Sequence, residues 1–241
     1  SEGVSPVNYV GIFKEETSYK VFSQKIRDLL GLSVEWYAKS RTAEDSFNII
    51  RAAISNIGTL VMMSGIVGNN THRPLSIDEF RAFSVIDEYA PLIFINSNDS
   101  TNGKLFSLLH EFSHICIGET SLFNDRYSTG KKVRKVETLC NAVAAEVLVP
   151  QKFFVREWSA AIQENEQEQA IHVLAHNFKC GATVIARKAY DNGFIEYDLY
   201  QKIAKLAVQL YNEKRRRLKE RGESGGDYYR TVASRIDRRF F

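Results

Sequence analysis

Between Leu105 and Ile117 apolar residues recur at helical spacing, and inside that stretch stands His110-Glu111-Phe112-Ser113-His114, an H-E-x-x-H pentapeptide. Residues four apart on a helix sit one turn above each other, so both imidazoles can face one metal ion while Glu111 stands beside it. The motif therefore asks for more than a helix. Two histidines hold zinc poorly, and a catalytic zinc takes three protein ligands with one position open for water. A second element must lie against the motif helix and bring a third donor to it. On zinc the pKa of water falls to about 7, and a carboxylate within hydrogen-bond reach can take its proton and pass it to a leaving amine. Glu111 is placed for that role, the arrangement of a zinc peptidase.

The helix after the next loop offers two carboxylates, Glu137 and Glu146. Nine residues at about 100° each put them on opposite faces, so they cannot both serve. Glu137 shares its face with Asn141, Ala144, Ala145 and Leu148, residues that let this helix lie close against the one bearing the histidines. Glu137 is thus the expected third ligand. Asn141, one turn later, is the expected partner that orients a histidine ring. Glu146 is expected in a salt bridge or hydrogen bond.

Around the motif the sequence alternates helical and strand signals. Helices are expected over 19–30, closed by Gly31, and over 43–57, closed by Gly58. Strand-like runs follow at 59–63, 81–86 and 91–96, forming a small twisted sheet of about three strands before the motif helix. Strand Leu92 to Ile95 is expected to present an open sheet edge that accepts an extended substrate by main-chain pairing. The motif helix runs from Asn102 to Ile117 with Gly118 as its stop, and Ser121 to Val133 reads as a loop. Helices are then expected from about Val136 to Pro150 and over 153–159, 166–178, 182–191 and 197–219. This is an α+β pattern, divided as an N-terminal helical segment (1–57), a metallopeptidase core (58–160) and a C-terminal helical region (161–241).

Composition narrows the setting. With 44% hydrophobic and 25% charged residues the chain suits a globular protein with a real core, and a formal charge of +3 is too mild to argue nucleic-acid binding. The three cysteines, Cys116, Cys140 and Cys180, are odd in number and form no C-x-x-C pair, which argues against a disulfide framework and for the cytoplasm. Cys116 and Cys140 read as small core residues. No run approaches the roughly 18 apolar residues that span a bilayer, so no membrane role is expected. The start at Ser1 without a methionine, and the end at Phe240-Phe241, read as cuts in a longer protein.

Glu137-Thr-Leu-Cys-Asn141-Ala-Val-Ala144-Ala145-Glu146-Val-Leu148-Val-Pro150 resembles the E-x-x-x-N-x-x-A-A-E-x-L-x-P stretch that follows H-E-x-x-H in the ImmA/IrrE metallopeptidases. Phe83-Ser-Val-Ile-Asp-Glu with Ala90-Pro91-Leu-Ile-Phe-Ile-Asn96 is similar to that family's strand pair before the zinc helix. Leu174-Ala175, Phe178, Arg187 and Gly193-Phe-Ile195 are similar to its helical segment with helix-turn-helix character. The resemblance spans roughly Ile54 to Ile195. It implies a zincin-like core and a zinc endopeptidase with one Zn2+ per chain, acting on a narrow protein target. That target is typically a helix-turn-helix repressor controlling a mobile element or a stress response. Several relatives carry a DNA-binding unit before the peptidase, so DNA is a partner to weigh, through a region before Ser1 or through the C-terminal helices. Gly181 departs from the family's usual serine and counts against DNA reading by this segment.

Three matters stay open in the sequence. The donor that would stabilise the oxyanion can be Arg126 or Tyr127, in the loop between the ligand helices, or His172 or His176, a second four-apart pair that reads first as structural. Lys214 to Arg217 can touch phosphates, although such runs are usually a solvated helix face. The alternative to proteolysis is a regulatory protein that keeps the peptidase fold and acts by holding a repressor or DNA.

Overall fold

The structure is a computed structural model, and it describes residues 5–15, 17–67, 70–119, 122–123 and 131–220. Two helices, α1 (Tyr19–Leu29) and α2 (Ala43–Asn56), flank a 3-10 turn at Trp36–Lys39. Strand β1 (Leu60–Ser64), the hairpin β2 (Ile66–Val67) and β3 (Asn70–Pro74), β4 (Ala82–Val85) and β5 (Leu92–Asn96) follow. The long α3 (Thr101–Ile117) comes next, then a short β6 (Leu122–Phe123) and α4 (Lys131–Leu148). The chain continues through α5 (Gln151–Glu164), α6 (Gln167–Asn177), α7 (Ala182–Asp191) and α8 (Tyr197–Glu220). The class is α+β, a small mixed sheet with helices, as the patterning implied.

Strand order in the main sheet is β1-β5-β4-β6, with β1 parallel to β5 and the other pairs antiparallel. This corrects one expectation. β5 is an interior strand, paired from Leu92 to Asn96 with β1 and from Leu92 to Ile95 with β4, so its backbone groups are taken and no extended substrate can add there. The alternation in β1, β4 and β5 buries Val61, Met63, Ala82, Ile93 and Ile95 on the face that meets α2 and α3. The other face carries the half-buried Phe83 and Phe94, stacked 5.1 Å apart.

Both ends of α3 are fixed by identifiable contacts. At its start the Ser100 side chain accepts the Gly103 N–H, an N-cap that satisfies one orphan donor. A Cβ on Gly103 would stand 2.4 Å from Asp99 Oδ2, so the Asp99 carboxylate, which accepts from Ser100 N–H and pairs with Arg81, would have to move aside. At its end Gly118 takes the left-handed conformation, φ 81°, and returns its N–H to His114 O and Ile115 O. The N-terminal strap completes the cap: Gly11 N–H donates to Ile115 O and Phe13 N–H to Cys116 O. A Cβ on Gly118 would press on the Gly11 Cα at 3.0 Å, so two backbones meet here one turn beyond His114.

Helix α4 is held in a similar way at its C-terminus. Two of its last carbonyls, otherwise orphaned, are taken by side chains from the N-terminal part: Arg27 Nη1 donates to Glu146 O (3.2 Å) and Trp36 Nε1 to Val147 O (2.9 Å). α1 packs along α4, and α4 along α3. α4 begins five residues before the position expected from sequence, since its first turn is charged and shows no apolar period. Cys116, Cys140 and Cys180 are buried and free. No described helix is long and apolar enough to cross a membrane.

Candidate metal centre

The packing of α3 on α4 brings His110, His114 and Glu137 together, the one such group found among the described residues. The two Nε2 atoms stand 3.1 Å apart. Glu137 Oε2 lies 3.2 Å from His110 Nε2, and Glu137 Oε1 3.3 Å from His114 Nε2. Three ligands held 2.0–2.1 Å from a tetrahedral zinc would stand roughly 3.3 Å apart, so the triangle has the size that such an ion requires. Both imidazoles are fully buried, whereas Glu137 keeps 12% of its side chain exposed, which leaves the triangle a way to solvent.

The electrostatics fit a cation. Burial pushes the His110 pKa down, against the pull of Glu137, so the ring is held neutral as a ligand must be. Burial alone would raise the Glu137 pKa, but hydrogen bonds from His110 and His114 outweigh it and bring the carboxyl to about 2. Asn141, one turn beyond Glu137, is a hydrogen-bonding neighbour of the His110 ring.

Glu111 is completely buried, and neither of its carboxylate oxygens has a hydrogen-bond partner among the described residues. Burial raises its pKa to about 8. The Ser84 hydroxyl on β4 faces it and opposes the rise without closing a hydrogen bond, and the Glu137 charge adds to the rise. An orphaned buried carboxylate costs several kcal/mol, a strain expected at a functional site rather than in a structural core. Ser84 had gone unnoticed in the sequence. The period of strand 81–86 could have found it, since it places Ser84 on the same inward face as Ala82.

Glu146 takes no part in the triangle. It is buried on the opposite side of α4, where Lys188 Nζ stands 2.7 Å from Oε2 and Gln151 N–H donates to Oε1. His172 and His176 are solvent-exposed on α6, outside the three-residue group, and so are not core histidines. Arg126 and Tyr127 lie outside the described residues.

With this geometry in hand the comparison with known proteins is direct. The family model described as the IrrE N-terminal-like domain, Peptidase M78, matches residues 69–190, half of the chain. The chain belongs to this family. The matched span takes in β4, β5, α3, α4 and the helices to α7, so the His110, His114 and Glu137 triangle falls within the IrrE N-terminal-like region. No curated protein sequence matches the chain. Membership makes it metallopeptidase-like, and the His110, His114 and Glu137 group is consistent with that class.

Proposed function

We propose that the protein is a zinc-dependent endopeptidase that hydrolyses a peptide bond in a specific protein target, a helix-turn-helix repressor. The observation that carries the reading is the convergence of two imidazole nitrogens and a carboxylate within 3.3 Å, next to a buried carboxyl that has no hydrogen-bond partner among the described residues. His110, His114 and Glu137 would hold the ion. When bound, zinc supplies Lewis-acid polarisation of the scissile carbonyl and an acidified water.

The chain's own groups do the rest. In its ionised form, which a cation held by the neighbouring triangle would favour, Glu111 accepts a proton from the attacking water at its carboxylate oxygen as the new carbon–oxygen bond forms. It then delivers that proton to the amide nitrogen as the carbon–nitrogen bond breaks. The apolar surroundings of Glu111 exclude bulk water and strengthen its pull on that proton. Asn141 steadies the His110 ring. The repressor target, the choice of zinc and a cytoplasmic setting rest on the family resemblance and the donor set.

The test is to incubate the zinc-loaded protein with a candidate helix-turn-helix repressor and look for a discrete fragment. The fragment should form with the parent and not with Glu111→Gln, while both proteins keep their metal. A stable complex with the repressor and no fragment from either would favour a holding role and end the hydrolase reading.

A further inference from the structure

Beyond α4 the chain turns at Pro150 into α5. The end of α5, the start of α6 and the residues around the α7–α8 junction surround an open cleft of about 630 Å3. Its floor is apolar. Trp158 and Phe194 stack 5.6 Å apart at 17°, with Leu199 and Ile162 beside them, the last 45% exposed. Its rim is acidic, lined by Glu166 and Glu168, with Glu164 next along the chain. Lys202 pairs with Glu168 at 2.5 Å, but Glu164 and Glu166 have no ion-pair partner among the described residues.

Helix ends act on this field in both senses. α5 ends at the cleft, where its C-cap Asn165 is a lining residue, so the partly negative end of that helix lies beside it. The positive end of α6 is already met by Glu166 at its N-cap and Glu168 in its first turn. Acidic residues at a helix corner ordinarily face water and nothing else. Here they stand over a concave apolar floor with a large exposed aliphatic group, the combination of apolar centre and charged rim found in protein-docking sites.

We propose that this cleft docks a basic segment of the protein target, one presenting an arginine or lysine beside a leucine-sized or aromatic side chain. The inference rests on the reading of the protein as one that acts on a protein target. An arginine fits the chemistry best: its stem lies along apolar surface, its guanidinium stacks on aromatic rings, and its fork reaches carboxylates. Phosphates are repelled by the same rim, so nucleic acid is not the occupant. DNA-binding proteins are rich in segments of the required kind, because they must meet phosphates elsewhere.

The experiment uses the full chain carrying Glu111→Gln, so that nothing is cut. A fluorescein-labelled peptide of four Arg-Leu-Ser repeats is titrated and followed by anisotropy, beside a counterpart with Glu for Arg. The arginine peptide should bind, and more weakly as salt rises; the glutamate peptide should not. Glu166→Lys with Glu168→Lys should weaken binding at least about tenfold, and Ile162→Gln several-fold. All three positions are accessible to solvent, so the variants should stay folded and melt in a single transition, with the double lysine variant somewhat below the parent because it loses the Glu168–Lys202 pair and the acidic start of α6. Equal binding of the two peptides, or unchanged binding by the variants, overturns the proposal. So does concentration-dependent self-association that Glu166→Lys abolishes, which would give the cleft to a second copy. Peptide binding with no repressor cleavage by the parent would sink the hydrolase reading alone; cleavage without peptide binding would sink the docking site alone.

Discussion

Replacing Glu111 by Gln should stabilise the metal-free protein at neutral pH while removing its proteolysis. The carboxyl ionises near 4.5 in the unfolded chain, but burial raises the folded value to about 8. Below pH 4.5 both states carry the proton and the group contributes nothing to pH dependence. Above it the unfolded state gains by ionising and the folded state does not, so stability is lost as pH rises toward 8. Each pH unit in that window is worth about 1.4 kcal/mol. The loss is under about 1 kcal/mol at pH 5 and on the order of 4 kcal/mol at pH 7.5. Glutamine has nearly the same shape and does not ionise. His110 and Glu137 titrate alike in parent and variant and cancel in the comparison. Urea denaturation of chelator-treated parent and Glu111→Gln, followed by tryptophan fluorescence at pH 5 and pH 7.5, should therefore show a gap that widens by about 3 kcal/mol in the variant's favour. A gap that stays constant with pH would mean that the Glu111 carboxyl is not held in the dry setting the structure gives it, and the account of its strain would be wrong.

Three further outcomes follow from the packing. Glu137→Gln should lower zinc affinity by more than about 100-fold, since losing a direct ligand exceeds the cost of losing an outer partner; competition with a chromogenic chelator measures this, and parent-like affinity would remove Glu137 from the ligand set. Lys188→Met leaves the buried Glu146 carboxylate without its 2.7 Å partner and should cost about 3–5 kcal/mol. Adding Glu146→Leu should recover most of that in a denaturation series, and no recovery would refute the pairing argument. Gly103→Ala forces a Cβ toward the Asp99 carboxylate, 2.4 Å away, and should lower stability by about 1–3 kcal/mol. A melting temperature equal to the parent's would show that the α3 start yields without strain.

The helices were largely legible because each carries its own period and its own stop. α1 with Gly31, α2 with Gly58 and α3 with Gly118 fall within one or two residues of the pattern, and α7 matches it. The strand misses share a cause. β2, β3 and β6 are short or polar, and what makes them strands is a partner elsewhere: β6 pairs with Ala82 and Phe83, some forty residues earlier. The interior place of β5 was missed for the same reason. An apolar run says that a strand is buried and does not say on how many sides it is paired. The start of α4 lies earlier than its pattern predicts because its first turn holds a single apolar residue, the exposed Val133, which makes no period.

By itself the sequence determined the two local halves of the candidate site: histidines one turn apart on α3, and Glu137 with Asn141 one turn apart on α4. A helix fixes the relation of residues three and four apart without help from anything distant. Only the tertiary structure decided that these halves meet at 3.2–3.3 Å, that Glu111 is buried facing Ser84, and that an acidic rim stands over the Trp158 and Phe194 floor. Those relations depend on where one element comes to rest against another. That placement is set by the packing of the whole core and by caps drawn from far along the chain, such as Arg27 and Trp36 on the end of α4, and no local periodicity encodes it.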